Sequence, residues 1–210
     1  SYSVTGVQTC ALPISFVGFT AIGQDITDRK RIETLSVTDV LTGLFNRLKL
    51  DRDLKREIAR SERYGQTLSV VLMDIDFFKS VNDEYGHQTG DRVLTIIGEI
   101  IKTNIRQVDI PGRWGGEEFL VICPETGLKG AWLVAEKLRR IIERRDFPII
   151  GRVTASFGAA EMRPSETAES LVNRADEALY LAKKRGRNQV VATNAEPVDE
   201  NFKTLGMRNQ

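Results

Sequence analysis

Two short acidic clusters hold the residue types most able to do chemistry in this 210-residue chain. The first is Met73-Asp74-Ile75-Asp76-Phe77-Phe78-Lys79, which ends the apolar run 68–73 (LSVVLM). Ligand sites gather at strand ends in α/β sheets, and residues two apart share one face for as long as a strand continues. Asp74 and Asp76 are therefore candidate oxygen ligands for Mg²⁺, which takes carboxylates together with waters and phosphate oxygens. Taken alone, D-x-D more often caps a strand or ends a loop. The second cluster is Arg113-Trp114-Gly115-Gly116-Glu117-Glu118-Phe119. Adjacent glutamates after a Gly-Gly turn repel each other and weaken a purely structural hairpin unless a cation sits between them. Glycines at such a tip also let a bulky ligand approach the backbone. An exposed acidic hairpin is the competing reading of this motif by itself.

The elements that must position these clusters are legible from periodicity. Residues 46–63 form a charged helix with Leu50, Leu54 and Ile58 as one buried stripe. The uninterrupted run 68–73 suits a central strand buried on both faces. A helix opening at Gly90-Asp91 repeats Val93, Ile96, Ile97, Ile100 and Ile101 at spacings of three and four. Segments 110–114 and 119–123 flank the glycines as a hairpin. A helix over 131–143, a strand over 152–157, a helix over 167–184 and a short strand over 189–192 follow. Strands interspersed with helices and one hairpin predict an α/β (α+β) layer fold, a mixed central sheet flanked by helices.

Around this domain, assigned to 39–193, lie other segments. Residues 1–15 match nothing downstream and stay unassigned, with a non-native origin expected. Residues 16–28 read as one strand and a polar turn, and 29–38 as a helical connector with Ile32 and Leu35 as its seam. That seam could pair with a second copy or pack on its own domain. Residues 194–210 are polar, lack periodicity and read as a flexible tail.

Formal net charge is +1, so no bulk field favours nucleic acid or an anionic membrane, and any polyanion must be held by a local cluster. Two cysteines, Cys10 and Cys123, are too few and too far apart for a disulfide framework or zinc site. No stretch has the length of a transmembrane helix. A reducing cytoplasm is expected, with any membrane attachment of the parent protein lying outside this chain. The lone histidine, His87, invites a general-base reading, but a structural hydrogen-bonding role is favoured.

Gly115-Gly116-Glu117-Glu118-Phe119 resembles the GGDEF/GGEEF signature of diguanylate cyclases. Further marks of that family stand in order: Asp39-Val40-Leu41-Thr42-Gly43-Leu44-Phe45-Asn46-Arg47, then Asp74 to Lys79, then Asn82-Asp83-Glu84-Tyr85-Gly86-His87-Gln88-Thr89-Gly90-Asp91, and Ala182-Lys183-Lys184-Arg185-Gly186-Arg187-Asn188. The resemblance covers about residues 36–193, and Asp25-Ile26-Thr27 is similar to the ending of a PAS sensor domain. It implies the palm-like fold of nucleotidyl cyclases and an enzyme that joins two GTP into cyclic di-GMP as a homodimer of half-sites. It further implies two Mg²⁺ (or Mn²⁺) ions per site held by Asp74, Glu117 and the Ile75 carbonyl. Glu118 would be either a further acidic ligand or the group deprotonating the attacking 3′-hydroxyl. Backbone N–H groups at Phe77 and Phe78, with Lys79, would cradle phosphates, and Lys183 and Arg187 would hold them from one helical face if that helix continues. Asn82 and Asp91 would read guanine, although Asp91 could simply cap its helix. Arg106-Gln107-Val108-Asp109 falls where the family's inhibitory product site lies, with Lys137 as the nearest third element. The alternative reading is a catalytically silent receptor that binds cyclic di-GMP at Arg106 and Asp109; the intact glycines and carboxylates favour the enzyme.

Overall fold

The chain reads as helix, strand and helix-pair segments whose apolar residues must find two covering layers. The structure, a computed structural model, describes residues 37–193. The first 15 residues, the PAS-like segment 16–28, nearly all of the connector with Ile32 and Leu35, and the tail 194–210 lie outside the described residues.

Helix α1 (Arg47–Tyr64) starts at Asn46, whose side chain accepts from the Lys49 amide, and stops at left-handed Gly65. Strand β1 (Leu68–Ile75) is buried along its whole length, as its unbroken apolar run predicts. Helices α2 (Phe78–Tyr85) and α3 (His87–Asn104) follow, then β2 (Ile110–Arg113) and β3 (Glu118–Pro124). Helix α4 (Leu128–Arg144), the short strands β4 (Asp146–Phe147) and β5 (Gly151–Arg152), β6 (Ala155–Glu161), α5 (Ala168–Lys184) and β7 (Val190–Thr193) complete the order. The main sheet runs β2-β3-β1-β6-β7, antiparallel except for the parallel pair β6–β7.

Alternation along β1 divides the core. Val70 and Leu72, with Leu120 and Ile122 of β3, pack under α1 and α5. Val71, Met73 and Ile75, with Phe119 and Val121, pack under α3 and α4. Each fully buried Leu, Ile or Phe contributes about 1.5–3 kcal/mol, so both layers are strongly held. At Gly158 on β6 an added Cβ would lie 2.0 Å from the Ala175 carbonyl oxygen, so α5 sits on the sheet at a distance only glycine permits.

Three sequence expectations need correction. The helix expected from Gly90-Asp91 begins at His87, because the residues before it form their own helix, α2, which periodicity did not reveal in eight residues. Asp91 is therefore inside α3 and caps nothing. The strand expected over 152–157 is two elements: Gly151–Arg152 pairs with β4 in a separate two-stranded sheet, and β6 starts at Ala155. The third concerns Asp76, offered by its spacing as a partner of Asp74: it lies just past the end of β1, and its carboxylate is taken up by the Thr154 and Ser156 hydroxyls and the Asn188 amide.

Candidate active site

Antiparallel pairing of β1 with β3 sets Asp74 opposite Glu118, both on the face covered by α1 and α5. Asp74 is 6% exposed, and Lys183 near the C-terminus of α5 brings its ammonium 2.7 Å from it. Burial and then the Asp76 charge push the Asp74 carboxyl above the usual range, outweighing Lys183 and Arg187. Glu117 is raised by burial, then by Asp74 and Glu118; Glu118 is raised by burial, then by Asp74 and Asp176. Three acids thus share one lysine at close range, a local excess of negative charge. Among the described residues, however, no three acidic, histidine or cysteine side chains converge enough to hold a metal ion by themselves. The donor set fits a hard divalent cation that completes its shell with substrate oxygens and water. It does not fit a closed, all-protein cage. The Ile75 carbonyl suits the same site: the Asp76 amide bonds the Thr154 carbonyl of the β6 side, so strand alternation directs Ile75 the other way, toward the start of β3.

The hairpin tip is held by residues that sequence reasoning did not single out. Arg113 donates from Nε to the Gly115 and Gly116 carbonyls at 3.2 and 3.1 Å and from a terminal nitrogen to Gly116 at 2.7 Å. Its other terminal nitrogen lies 3.2 Å from Asp39. Asp39 reaches it because Phe45 bridges to Gly112 beside β2, carrying 37–45 along the sheet edge. An added Cβ at Gly112 would lie 2.5 Å from the Phe45 carbonyl oxygen, and one at Gly115 would lie 2.5 Å from a Glu118 carboxylate oxygen. Arg47 stacks 4.5 Å over Trp114, and the two line a groove of about 560 Å³ that includes Glu118. The only signal for Arg113 was its place two residues before Gly115.

Phe77 takes a left-handed conformation (φ 58°) and opens α2. The amides of Phe77, at the N-cap, and Phe78, the first helical residue, have no intrahelical acceptor and lie at the helix N-terminus. Lys79 is exposed. Lys183 and Arg187 do not share a helical face, contrary to expectation, because α5 ends at Lys184 and Arg187 sits in a left-handed turn (φ 64°). That turn still lays the Arg187 guanidinium 4.5 Å over the exposed Phe77 ring, and Arg187, like Lys183, is close enough to pull the Asp74 carboxyl down.

Asn82 on α2 and Asp91 on α3 also come together. A Cβ at Gly90 would lie 2.0 Å from Asn82 Oδ1, so the Asn82 amide rests on α3 at the residue before Asp91. Asp91 is exposed and Asn82 half-buried. His87 is exposed at the first position of α3, and its side chain has no hydrogen-bond partner among the described residues.

Away from this cluster, Asp109 is 6% exposed; one oxygen accepts from the Arg106 amide at 2.9 Å and the other has no hydrogen-bond partner. Burial raises its carboxyl above the ordinary range, against the pull of Arg106. Lys137 on α4 donates to the Asn104 carbonyl at 2.7 Å, at the end of α3, so the third element stands beside the Arg106–Asp109 loop. Arg139 and Arg140 turn instead to Glu136.

With this geometry in place, the comparisons are specific. The family described as "Diguanylate cyclase, GGDEF domain" matches residues 36–189. The response regulator PleD of Caulobacter vibrioides is 43% identical over 167 residues, 77% of this chain and 37% of that protein. The GGDEF domain of DgcB from Caulobacter crescentus, solved with c-di-GMP, is 38% identical, with a TM-score of 0.72 and coverage of 74% of this chain and 95% of that one. The DgcB coiled coil and GGDEF domain reaches 0.80 at 32% identity, covering 84% and 95%. The chain thus spans little more than a third of the length of PleD.

Proposed function

The chain belongs to the diguanylate cyclase GGDEF-domain family, and from that premise we propose that it condenses two GTP molecules into cyclic di-GMP with release of two pyrophosphates. The observation that carries this reading is the acid set Asp74, Glu117 and Glu118, an excess of negative charge flanked by Lys183 and Arg187. Asp74, Glu117 and the Ile75 carbonyl would hold divalent cations, Mg²⁺ or Mn²⁺, two per site. Bound there, such ions supply charge neutralisation for the attacking and leaving oxygens of in-line displacement.

The chain's own residues do the rest by positioning and electrostatics. Lys183 exchanges Asp74 for substrate phosphate, and Arg187, steadied on Phe77, adds a planar donor fork to it. The Phe77 and Phe78 amides and the Lys79 ammonium meet phosphate oxygens at the start of α2. In each step the 3′-oxygen of one GTP bonds the α-phosphorus of the other as the α–β phosphoanhydride breaks. Pyrophosphate leaves, and the 3′-hydroxyl proton passes to Glu118 or solvent. Asn82 and Asp91 select guanine, because adenine would leave their hydrogen-bonding groups unmatched. One chain presents one such set, so two chains meet by two-fold symmetry to bring two GTP together. Arg106 and Asp109, with Lys137, form the inhibitory product site; Asp109 accepts from the Arg106 amide, and Lys137 stands beside the same loop. Substrate supply argues for work in the cytoplasm, and no described helix is long and apolar enough to cross a membrane.

Incubation with GTP and Mg²⁺ tests the reading. Pyrophosphate release, with specific activity rising with protein concentration, is the expected result. Tight cyclic di-GMP binding without any pyrophosphate would instead make the chain a receptor.

A further inference from the structure

Arg187 and Asn188 take left-handed φ angles of 64° and 45° in succession. Asparagine tolerates this conformation and arginine does not favour it, so the turn needs external restraint. The restraint is concentrated on Asn188. Its amide donates to Asp76 Oδ2 at 3.0 Å, its side-chain oxygen accepts from Arg139 at 2.9 Å, and its side-chain nitrogen donates to Glu143 at 2.7 Å. Asp76 is itself fixed, accepting from the Thr154 and Ser156 hydroxyls at 2.7 Å each. Arg139 is fixed by Glu136 at 2.8 Å. One residue therefore joins the turn to the sheet through its backbone and to α4 through both ends of its amide. The turn it locks is the one that lays Arg187 over Phe77, 4.5 Å from the ring.

We propose that Asn188 is a positioning residue for substrate phosphate: it presets the Arg187 guanidinium by clamping the turn after α5 between Asp76 and the Arg139–Glu143 pair. The inference rests on the reading of Arg187 as a phosphate ligand. Asn188 touches no reacting atom. Its chemistry is specific, since the site offers a donor on one side and a carboxylate on the other. An aspartate would face Glu143 with like charge, an alanine would release both side-chain bonds, and Arg187 would then sample other turn conformations before binding.

The test is a double-mutant cycle on the full chain, reading the affinity for a non-hydrolysable GTP analogue with Mg²⁺ and, in parallel, KM and kcat for GTP. Thermal melts check the fold of every variant. Arg187→Ala is expected to weaken binding about tenfold, the scale of one charged hydrogen-bonding contact. Asn188→Ala should weaken it about three- to tenfold, with kcat changing less than KM, and Asn188→Asp should fail to rescue it. In the Arg187→Ala background, Asn188→Ala should add nothing, because there is no guanidinium left to position. Glu143→Ala, which lies outside the turn, should move KM in the same direction by a smaller factor if Asn188→Ala does not fold. Additive losses, or normal affinity in both Asn188→Ala and Glu143→Ala, would overturn the proposal. If Arg187→Ala binds normally, the phosphate role and the clamp fall together. Absence of turnover by the wild-type chain would count against the cyclase reading alone, since the analogue still reports the clamp.

Discussion

Asp74 and Asp76 stand two residues apart and are equally buried, at 6% and 5% exposure, yet their surroundings differ in kind. Asp76 accepts three hydrogen bonds from Thr154, Ser156 and the Asn188 amide, all supplied by the fold. Asp74 meets a single flexible lysine, with Glu118 opposite and Glu117 nearby, and its carboxyl is held above the usual range by burial. Burial alone therefore does not mark a working acid. A carboxylate whose lone pairs are met by rigid donors stabilises structure, whereas one facing other acids and a mobile cation is available to a ligand. Asp109 is a third case: one oxygen is bonded and the other orphaned.

The sharpest way to break this contrast is to neutralise each acid in turn. Asp74→Asn should cut cyclic di-GMP formation by about a thousandfold or more, the scale of several kcal/mol of transition-state stabilisation, while leaving the melting temperature near that of the parent. Asp76→Asn should show the reverse emphasis, because an amide cannot accept all three donors. It should cost about 1.5–3 kcal/mol of stability, a fall of several degrees by calorimetry. Equal activity losses with equal melting temperatures in the two variants would erase the distinction.

The guanine side is probed at a residue with no chemistry of its own. Gly90→Ala puts a methyl 2.0 Å from the Asn82 amide oxygen, so that side chain must swing away. KM for GTP should rise about tenfold, near 1.4 kcal/mol, with discrimination against ATP reduced. An unchanged ratio of kcat/KM for the two nucleotides would detach Asn82 from base reading.

Smaller effects belong to Asp109. Burial raises its carboxyl in the folded chain, so the folded state holds this proton more tightly than the unfolded one. Its contribution is most favourable below the ordinary carboxylate range and declines as pH rises through the folded value. At neutral pH, Asp109→Asn should therefore stabilise the fold by about 0.5–1 kcal/mol, measurable by urea denaturation, and the gain should vanish in acid. The same substitution, and Arg106→Ala, should leave initial rates close to the parent while removing inhibition by added cyclic di-GMP. Full inhibition in both variants would reduce this loop to a surface pair.

Much of the fold follows from local pattern. The unbroken LSVVLM run specified a strand buried on both faces, the four-residue stripe of Leu50, Leu54 and Ile58 specified one face of α1, and the paired glycines specified the hairpin. Helix α2 escaped because eight residues hold too few repeats to establish a period. The split at 151–155 escaped because β-rich residues read as one run until tertiary partners divide them between two sheets.

The residues that can do chemistry were also legible, since carboxylates after a glycine turn and a basic run near a helix end announce themselves by type and spacing. What the sequence by itself determined is this inventory, with its order along the chain and the family it points to. Only the tertiary structure decided the assignments within it. Asp74 and Asp76 are indistinguishable as letters; the register that sets one against Glu118 and the crossing that brings Thr154, Ser156 and Asn188 to the other separate them. Arg113, Gly90 and Asn188 likewise acquired meaning only from partners far away in the chain or packed across a helix crossing. The physical reason is that hydrogen-bond satisfaction and close approach are properties of three-dimensional neighbours, while periodicity and charge type are properties of the chain.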